Sequence, residues 1–396
     1  MPKRSLDAFA FRKLEALDRA SLKRSLTESV RERGIWVERD GRRLLSFSCN
    51  DYLNLSHHPA LIAAATASIR QYGVGAGASR LVTGNHPLLG ELETRLARLK
   101  GTDAACVFGS GYLANSGIIP VLAGERDLVL IDELAHACLW AGTKLAAAET
   151  LIFRHNQVDH VVELLAKNRG RFRHALLVTD SVFSMDGDLA PLQELSKICA
   201  DFDTWLMTDD AHGLGVIGRG RGAVFAAGPG TDVPLQMGTL SKAAGGYGGY
   251  LCASRPVIDL VKTRARTLIY STALPPPMAA AAIAALTIIE TEPELTAKPL
   301  EKAKLFTSRL GLPKAQSPIV PFILGEPEAA LRAARGLADQ GFLVTPIRPP
   351  TVPTGTARLR FTFTTMHPDE EIIRLADAVR ALTETLKGPA KCPPSS

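Results

Sequence analysis

The amino-acid sequence predicts an α/β fold: a large domain with a mostly parallel sheet flanked by helices, a smaller C-terminal α+β domain and an N-terminal helical segment. In the middle of the chain, short apolar runs alternate with helical patterns, which is typical of parallel sheets covered on both faces. The last hundred residues mix helices and strands in another order. The first 40 or so place apolar side chains at helical spacing. The predicted domains are 1–46, 47–287 and 288–396.

The elements follow in order along the chain. Strands are predicted at 44–48, 105–108, 128–131, 175–179, 204–208, 235–237 and 250–253, and helices at 87–100, 111–122, 191–200, 256–270 and 278–290. The C-terminal domain is predicted to contain helices at 297–310, 327–340 and 368–386 and strands at 319–324, 342–346 and 357–364. The tail 388–396 is predicted to be disordered.

Composition narrows the classes of function. The chain has 396 residues, of which 46% are hydrophobic and 22% charged, enough to bury a sizeable core. The net charge of +6 is mild for this length, and no dense basic run with interleaved aromatics predicts a nucleic-acid partner. The six cysteines stand singly, so we expect no disulfide framework and no metal site. No signal peptide or membrane span is predicted, which favours the cytoplasm.

Charged side chains follow two neighbouring predicted strands. Asp209 and His212 come at the end of one strand, and Lys242 follows the next in a run of small residues. A buried carboxylate needs a cation, and the pyridinium nitrogen of pyridoxal 5′-phosphate (PLP) is one. Burial also lowers the pKa of a lysine toward a nucleophilic amine. Each feature alone is more often a helix cap or a loop lysine, but their separation by one βαβ step favours a PLP site.

A glycine-rich turn before a helix offers a place for the cofactor's phosphate. Ser110, Gly111 and Tyr112 open the helix 111–122, and free N–H groups at a helix start bind phosphate well. Tight packing explains such a turn as often. The hydroxyl of Thr239 is also suited to a phosphate.

Two further runs follow strands. His136 could stack on an aromatic ring or transfer a proton, although a helix-capping histidine is the commoner case. Ser184 could reach a cofactor, and an Asp-Gly turn is the alternative. The glycine-rich run 72–80 does not follow a strand, so a dinucleotide site is not predicted.

Two arginines in the C-terminal domain could bind a substrate. Arg358 and Arg360 lie on one face of a predicted strand by period-2 alternation. An arginine fork binds a carboxylate bidentately, which suits an amino acid. A strand edge that merely carries arginines is equally compatible.

Four linked runs, in their order and spacing, resemble the α-oxoamine synthases. They are Cys49-Asn-Asp-Tyr-Leu, residues 77–86, Asp209-Asp-Ala-His-Gly and Gly238-Thr-Leu-Ser-Lys, and the resemblance extends over about residues 47–382. These are PLP enzymes of the aspartate-aminotransferase fold (fold type I). The resemblance implies a seven-stranded sheet and a homodimer with active sites at the interface. Asn54 stands where the family usually has glycine.

The resemblance also implies roles for individual residues. Lys242 would carry PLP as a Schiff base, Asp209 would pair with the pyridinium nitrogen, His212 would contact the ring hydroxyl and His136 would stack on the ring. The residues implied to hold the cofactor and its phosphate are Ser110, Gly111, Tyr112, Ser184 and Thr239, and those implied to hold substrate are Arg24, Asn50, Thr351 and Arg360.

Within the family, the runs 183–188, 270–276 and 348–360 favour the activity that joins L-alanine to a pimeloyl thioester with loss of CO2. The acyl carrier, CoA or a carrier protein, stays open. Sister synthases that use glycine or serine are the main alternative, and an aminotransferase on the same fold is a second.

Overall fold

The structure, a computed structural model, describes residues 5–387; the tail 388–396 lies outside the described residues. Its α-helices are α1 (Ser5–Arg19), α2 (Pro59–Tyr72), α3 (Pro87–Lys100), α4 (Gly111–Leu122), α5 (Ala137–Leu145), α6 (Val158–Asn168), α7 (Leu192–Asp201), α8 (Arg255–Arg264), α9 (Arg266–Ile269), α10 (Pro276–Thr291), α11 (Pro293–Leu310), α12 (Pro327–Asp339) and α13 (Asp369–Lys387).

The strands are β1 (Val30–Arg31), β2 (Trp36–Arg39), β3 (Arg42–Ser46), β4 (Ala104–Phe108), β5 (Leu128–Asp132), β6 (Glu149–Phe153), β7 (Ala175–Asp180), β8 (Trp205–Asp209), β9 (Leu235–Thr239), β10 (Gly249–Ala253), β11 (Ile319–Gly325), β12 (Phe342–Leu343), β13 (Thr345–Ile347) and β14 (Ala357–Thr362). Within the described part of the chain, no helix is both long and apolar enough to cross a membrane.

The chain divides into two compact units. The larger comprises Asn50–Glu301 and Ala315–Pro318. The smaller comprises the described residues up to Cys49, the segment Lys302–Lys314 and the described residues from Ile319 onward. The division of the sequence at residues 46 and 287 stays a prediction.

The larger unit is built on a mostly parallel sheet, which confirms the predicted fold class. Within residues 5–387 this sheet has seven strands in the order β4-β10-β9-β8-β7-β5-β6. Strand β10 is antiparallel to both of its neighbours, and the remaining neighbours pair in parallel. Apolar side chains of the strands pack with buried residues of α4, α5 and α8. Helices therefore cover the sheet, as a parallel sheet requires.

Strand β10 brings two loops to the same level of the sheet. Gly249, its first residue, is in register with Phe108 of β4 on one side and with Thr239 of β9 on the other. A Cβ atom at Gly249 would lie 2.5 Å from the carbonyl oxygen of Ser110 and 2.6 Å from the backbone nitrogen of Gly111. Only glycine therefore allows the loop after β4 to approach the start of β10 this closely.

Several elements of the larger unit differ from the sequence prediction, which did not include helices α2, α5 and α6. Strand β6 was not predicted, because it lies at the edge of the sheet and exposes Glu149 and Ile152, so it lacks the continuous apolar run of a buried strand. The helix predicted at 256–270 is interrupted at Ala265, whose extended backbone (ψ 105°) separates α8 from α9.

The smaller unit contains two sheets, β1-β2-β3-β12 and β11-β14-β13. Its N-terminal helix α1 ends at Arg19, so the prediction of helix through residue 40 was wrong beyond that point. Strands β2 and β3 form a hairpin through Asp40 and Gly41, both with positive φ (52° and 70°). An Asp-Gly pair with these angles forms a hairpin turn whose twist matches that of the two strands. The hairpin forms although the apolar side chains upstream have helical spacing.

Asn54, which replaces the family's usual glycine, has a left-handed backbone with φ 55°. Asparagine is several-fold enriched in this region among residues other than glycine. The departure therefore preserves the backbone conformation.

Candidate active site

Carboxylates end three adjacent strands of the larger unit. Asp132, Asp180 and Asp209 are the last residues of β5, β7 and β8, and all three are buried. Asp180 and Asp209 are partners in register. Parallel strands end at the same edge of a sheet, and ligands of open α/β sheets bind outside this edge. The candidate site is therefore the carboxyl edge of the parallel strands.

Two hydrogen-bond donors orient the side chain of Asp209. Asn115 Nδ2 donates to its Oδ2 at 2.7 Å, and the backbone N–H of Ala211 donates to its Oδ1 at 2.9 Å. These contacts suit Asp209 to pair with a cationic ring nitrogen, and that pairing stays a prediction.

The neighbouring Asp210 has a different partner. Its Oδ2 lies 2.7 Å from Nζ of Lys100 in an ion pair whose two side chains are completely buried. Its Oδ1 accepts a hydrogen bond of 2.6 Å from Ser181. The two carboxylates that stand together in the sequence are therefore divided between the candidate site and a structural ion pair.

Lys242 lies in the turn after β9, near the same edge. The turn is closed by hydrogen bonds of 2.8 Å from the Gly245 N–H to the Lys242 carbonyl and of 2.9 Å from the Gly246 N–H to the Leu240 carbonyl. Asp180 is fully buried, and burial and the charge of Asp209 raise its pKa well above the usual value, while the positive charge of Lys242 acts in the opposite direction. The structure thus brings Lys242 within electrostatic reach of the carboxylates on β7 and β8.

His136 caps the start of α5 and faces the same charges. Its Nδ1 accepts the backbone N–H of Cys138 at 3.3 Å, and its own backbone N–H donates to Asp180 Oδ2 at 2.7 Å. Burial lowers the pKa of His136, and the charge of Lys242 lowers it further against the opposing effect of Asp209. A neutral imidazole that accepts at Nδ1 carries its proton on Nε2.

The start of α4 and the end of β9 together form a candidate phosphate site. Ser110 is the N-cap of α4, and a Cβ atom at Gly111 would lie 3.5 Å from Cβ of Thr239. The Thr239 hydroxyl lies 2.8 Å from that of Ser241. Tyr112, the second helical residue, is about half exposed. Helix-start N–H groups beside hydroxyls bind phosphate readily.

His212 belongs to a buried polar chain. Its Nδ1 lies 2.7 Å from the hydroxyl oxygen of Tyr52, which is completely buried. The same hydroxyl lies 3.4 Å from Oδ1 of Asn50. Tyr52 therefore links the predicted cofactor residue His212 to the predicted substrate residue Asn50.

Ser184 lies in a turn between β7 and α7. The turn is closed by a bridge between Val182 and Leu189 and by a 3.0 Å hydrogen bond from the Phe183 N–H to the Asp188 carbonyl. Its assignment as a cofactor residue stays a prediction.

The other predicted substrate residues belong to the smaller unit. Arg24 Nη2 donates to the hydroxyl of Thr351 at 2.7 Å, so these two lie together. Arg360 is buried on β14, in register with Thr345 of β13. Their contact with substrate stays a prediction.

Sequence reasoning did not single out Asn115, Tyr52 or Asp180. Asn115 lies in the glycine-rich helix start and Tyr52 in the run 49–53, which were both noted for other residues, and Asp180 lies four residues before Ser184. Among the described residues, no group of three or more His, Cys, Asp or Glu side chains is arranged to hold a metal ion.

The chain matches the family model of class I and II aminotransferases over residues 42–379. It is 67% identical to the 8-amino-7-oxononanoate synthase of Beijerinckia indica over 96% of this chain and 98% of that protein. It is 71% identical to the enzyme of the same name from Methylocella silvestris, over 88% of this chain and 99% of that protein.

Solved structures show the same fold. A serine palmitoyltransferase from S. paucimobilis, solved with a bound PLP–myriocin aldimine, superposes with a TM-score of 0.90 at 27% identity, over 97% of this chain and 100% of that one. The 8-amino-7-oxononanoate synthase from Francisella tularensis has a TM-score of 0.75 at 26% identity, over 87% of this chain and 99% of that one.

The residues at the carboxyl edge fit PLP. Its ring nitrogen, aldehyde, ring face and phosphate each need a partner. The available groups are a hydrogen-bonded carboxylate (Asp209), a lysine in the next loop (Lys242), a neutral imidazole (His136) and a helix start beside hydroxyls, which would supply these partners. The family model and the PLP-bound structure of similar fold confirm the cofactor predicted from the sequence. The chain belongs to the 8-amino-7-oxononanoate synthases, PLP-dependent acyltransferases within the class I and II aminotransferase family.

Proposed function

We propose that this protein condenses L-alanine with a pimeloyl thioester to give 8-amino-7-oxononanoate, CO2 and the free thiol, a reaction of biotin biosynthesis. The three carbons of alanine and the seven of the pimeloyl group, less one lost as CO2, give the nine carbons of the product. The observation that carries the proposal is the grouping of Asp209, Lys242 and His136 at one sheet edge in a chain 67–71% identical to two synthases of this name.

When bound, PLP supplies an electron sink for a carbanion at Cα of the amino acid. Asp209, which Asn115 and Ala211 orient by hydrogen bonds, would pair with the ring nitrogen and keep it protonated. Ser110, Gly111 and Thr239 would hold the phosphate, and Lys242 would hold the cofactor through its amine.

Two side chains would move or hold protons. Nζ of Lys242, once released from the cofactor, would accept the Cα proton of alanine. His136 would lie against the ring and donate its Nε2–H to a carbonyl oxygen. A neutral imidazole suits this hydrogen bond at neutral pH, and the pKa of His136 is lowered chiefly by burial.

Four residues are proposed to bind substrate. Asn50 lies at the end of the Tyr52–His212 chain, where a carboxylate of the amino acid could accept its amide N–H. Arg24 and Thr351, already hydrogen-bonded to each other, would contact the acyl chain, and Arg360 would bind a carboxylate.

A sister reaction with serine is the second candidate, because the serine palmitoyltransferase backbone superposes with the higher TM-score, 0.90 against 0.75. A TM-score compares backbones, however, and sister synthases can share a backbone while differing in substrate. Identity of 67–71% to two 8-amino-7-oxononanoate synthases, against 27% to this palmitoyltransferase, favours alanine.

The test is a matrix of thiol-release assays with product masses. L-Alanine, glycine and L-serine are each combined with pimeloyl and palmitoyl thioesters of CoA and of a carrier protein. We expect thiol release and the nine-carbon amino ketone with alanine and a pimeloyl thioester. Preference for serine with the palmitoyl thioester would transfer the assignment to the sister reaction. Conversion of PLP to its amine form without thiol release would indicate an aminotransferase.

We also propose that the enzyme acts as a cytoplasmic homodimer with active sites at the interface. The free and buried thiols of Cys106, Cys138, Cys199 and Cys252 suit a reducing compartment. Tyr270 is 73% exposed on the larger unit and lines a cavity of about 600 Å3 with Leu145, so it is available to a second subunit. Sedimentation of the holoenzyme tests the dimer: a monomer that keeps full activity would exclude it.

A further inference from the structure

His155 contacts two carboxylates, one of which, Asp132, lies at the carboxyl edge of the sheet. It lies two residues after β6, and its Nδ1 is 3.0 Å from Oδ1 of Asp132 while its Nε2 is 2.8 Å from Oδ2 of Asp188. The edge of the Phe183 ring packs against the imidazole, with centroids 4.3 Å apart. The Asp132 side chain is completely buried, and those of His155 and Asp188 are 20% and 30% exposed.

This geometry requires a charged imidazole. A carboxylate oxygen only accepts hydrogen bonds, so both ring nitrogens of His155 must donate, and only the imidazolium has two N–H groups. Burial acts against the charge, but the hydrogen bonds and charges of Asp132 and Asp188 raise the pKa of His155 to about 10. His155 is therefore a fixed cation at neutral pH.

The two carboxylates belong to different loops. Asp132 starts the loop that leads to His136, and its Oδ1 also accepts the Leu134 N–H at 2.8 Å. Asp188 closes the turn that contains Ser184 through the hydrogen bond from the Phe183 N–H to its carbonyl.

Asn156 strengthens the same connection. Its backbone N–H donates to Asp132 Oδ2 at 3.1 Å, and its side-chain amide donates to Asp188 Oδ2 at 2.9 Å. The backbone of Asn156 is left-handed, with φ 54°, a conformation that asparagine tolerates. This conformation directs its backbone N–H and its side-chain amide toward the two carboxylates.

We propose that His155 is a positioning residue for PLP: it ties the loop of His136 to the turn of Ser184, so that the ring-stacking imidazole and the serine hydroxyl are presented together. The inference rests on the proposed function, which assigns His136 and Ser184 to the cofactor. His155 itself acts through these loops and is not assigned a contact with PLP.

The experiment measures the dissociation constant of PLP for the full-length apoenzyme by the visible absorbance and circular dichroism of the bound cofactor. His155→Asn retains a polar side chain but cannot donate to both carboxylates. We expect its PLP dissociation constant to rise about 10- to 100-fold, as for loss of hydrogen bonds to charged groups. The circular dichroism per bound cofactor should also change.

Asp188→Asn is the milder variant, because the amide oxygen can still accept from Nε2 but without charge. Its PLP affinity should fall about 3- to 10-fold. The double variant should lie within about twofold of His155→Asn, because residues that act through one interaction are not additive. The matched control is His160→Asn, which changes a nearby histidine whose Nδ1 accepts the Arg154 N–H; its PLP affinity should equal the wild type.

The results distinguish a failure of the proposed function from a failure of the role given to His155. If wild type itself forms no visible PLP band, the proposed function fails. If wild type binds PLP but His155→Asn binds it equally, or lowers the melting temperatures of apoenzyme and holoenzyme alike with an unchanged dissociation constant, His155 has only a structural role and the inference is overturned. If Asp188→Asn and His155→Asn are fully additive, the bridge is not one unit and the inference is likewise overturned.

Discussion

Asn115 donates a hydrogen bond of 2.7 Å from Nδ2 to Oδ2 of Asp209, and so holds the carboxylate at the end of β8 from the helix that also begins at the phosphate site. In the proposed function, α4 would therefore serve both ends of the cofactor: its first residues would hold the phosphate, and Asn115 would orient the carboxylate proposed to pair with the ring nitrogen.

Asn115→Ala should weaken PLP binding without unfolding the protein. Asp209 would lose a donor to its charged form, at a cost of about 1.5–3 kcal/mol, so the PLP dissociation constant should rise about 10- to 100-fold. Absorbance titration measures it. Asn168→Ala is the control, because Asn168 is also buried but donates to the Leu164 carbonyl within α6. Equal effects of the two variants on PLP affinity would contradict the role given to Asn115.

Lys242→Ala should abolish the visible absorbance band of bound PLP together with turnover. The variant lacks both the amine that holds the cofactor and the base that accepts the Cα proton, and loss of a general base alone costs about 10²- to 10⁴-fold in rate. Lys262→Ala, which removes an amine 2.9 Å from Glu93, should keep the band and the activity. A Lys242→Ala protein with an intact band and normal turnover would refute the assignment.

Gly249→Ala should impair PLP binding through the backbone. Its new Cβ would meet the Ser110 carbonyl oxygen at 2.5 Å, so the start of α4 must shift away from Thr239. We expect at least about tenfold weaker PLP binding, because a displaced phosphate site loses hydrogen bonds to a charged group. In Gly90→Ala, the new methyl group meets nothing within 4 Å, and helix α3 should gain about 1 kcal/mol with PLP affinity unchanged.

Lys100→Met should destabilise the larger unit severely. It leaves Asp210 as an unpaired buried charge, at a cost of about 3–5 kcal/mol in the free energy of unfolding. Lys100→Met combined with Asp210→Asn should recover much of the loss, since no buried charge remains. Urea unfolding of the three proteins provides the measurement. A double variant as unstable as the single one would show that packing, and not charge, dominates.

His367 should make the smaller unit sensitive to acid. Its Nε2 donates to the Ser46 carbonyl at 2.9 Å and its Nδ1 accepts the Thr364 N–H at 2.9 Å, so the neutral ring is held; burial lowers its pKa to about 4. The folded pKa lies below the unfolded value of about 6.5, so the unfolded state binds the extra proton. The stabilisation is complete above pH 6.5 and is lost as the pH falls toward 4, by about 3 kcal/mol.

His367→Gln and His367→Phe test this pH dependence. Neither side chain titrates, so the stability gap between wild type and each variant should shrink by about 3 kcal/mol between pH 7 and pH 4. In His367→Phe the new ring can preserve the stacking on Phe47, whose ring centroid lies 4.1 Å from that of His367. The two variants should therefore differ in stability at pH 7 but show the same change of stability with pH. Urea unfolding at each pH measures the gap. A gap that does not change with pH would contradict the lowered pKa.

The placement of Lys242 and Asp209 could be predicted from sequence because it depends on strand alternation alone: both follow buried parallel strands, and such strands end at one edge. The link between Asn115 and Asp209 could not, because it depends on the angle at which α4 crosses the sheet. The bridge at His155 was missed for a related reason. It follows β6, an edge strand with a mixed burial pattern, and its two partners are 23 and 33 residues away in the sequence.

The position of β10 between β4 and β9 has a consequence for how the protein reaches its native state. Phe108 and its partner Gly249 are about 140 residues apart in the sequence, and pairings between such distant segments form slowly. The loop after β4, which contains Ser110 and Gly111, and the turn after β9, which contains Lys242, reach the same level of the sheet only when β10 has paired in register with both strands. We therefore expect the cofactor site to be complete only after β10 has paired, and PLP, which would bind this completed site, to stabilise the folded protein by mass action.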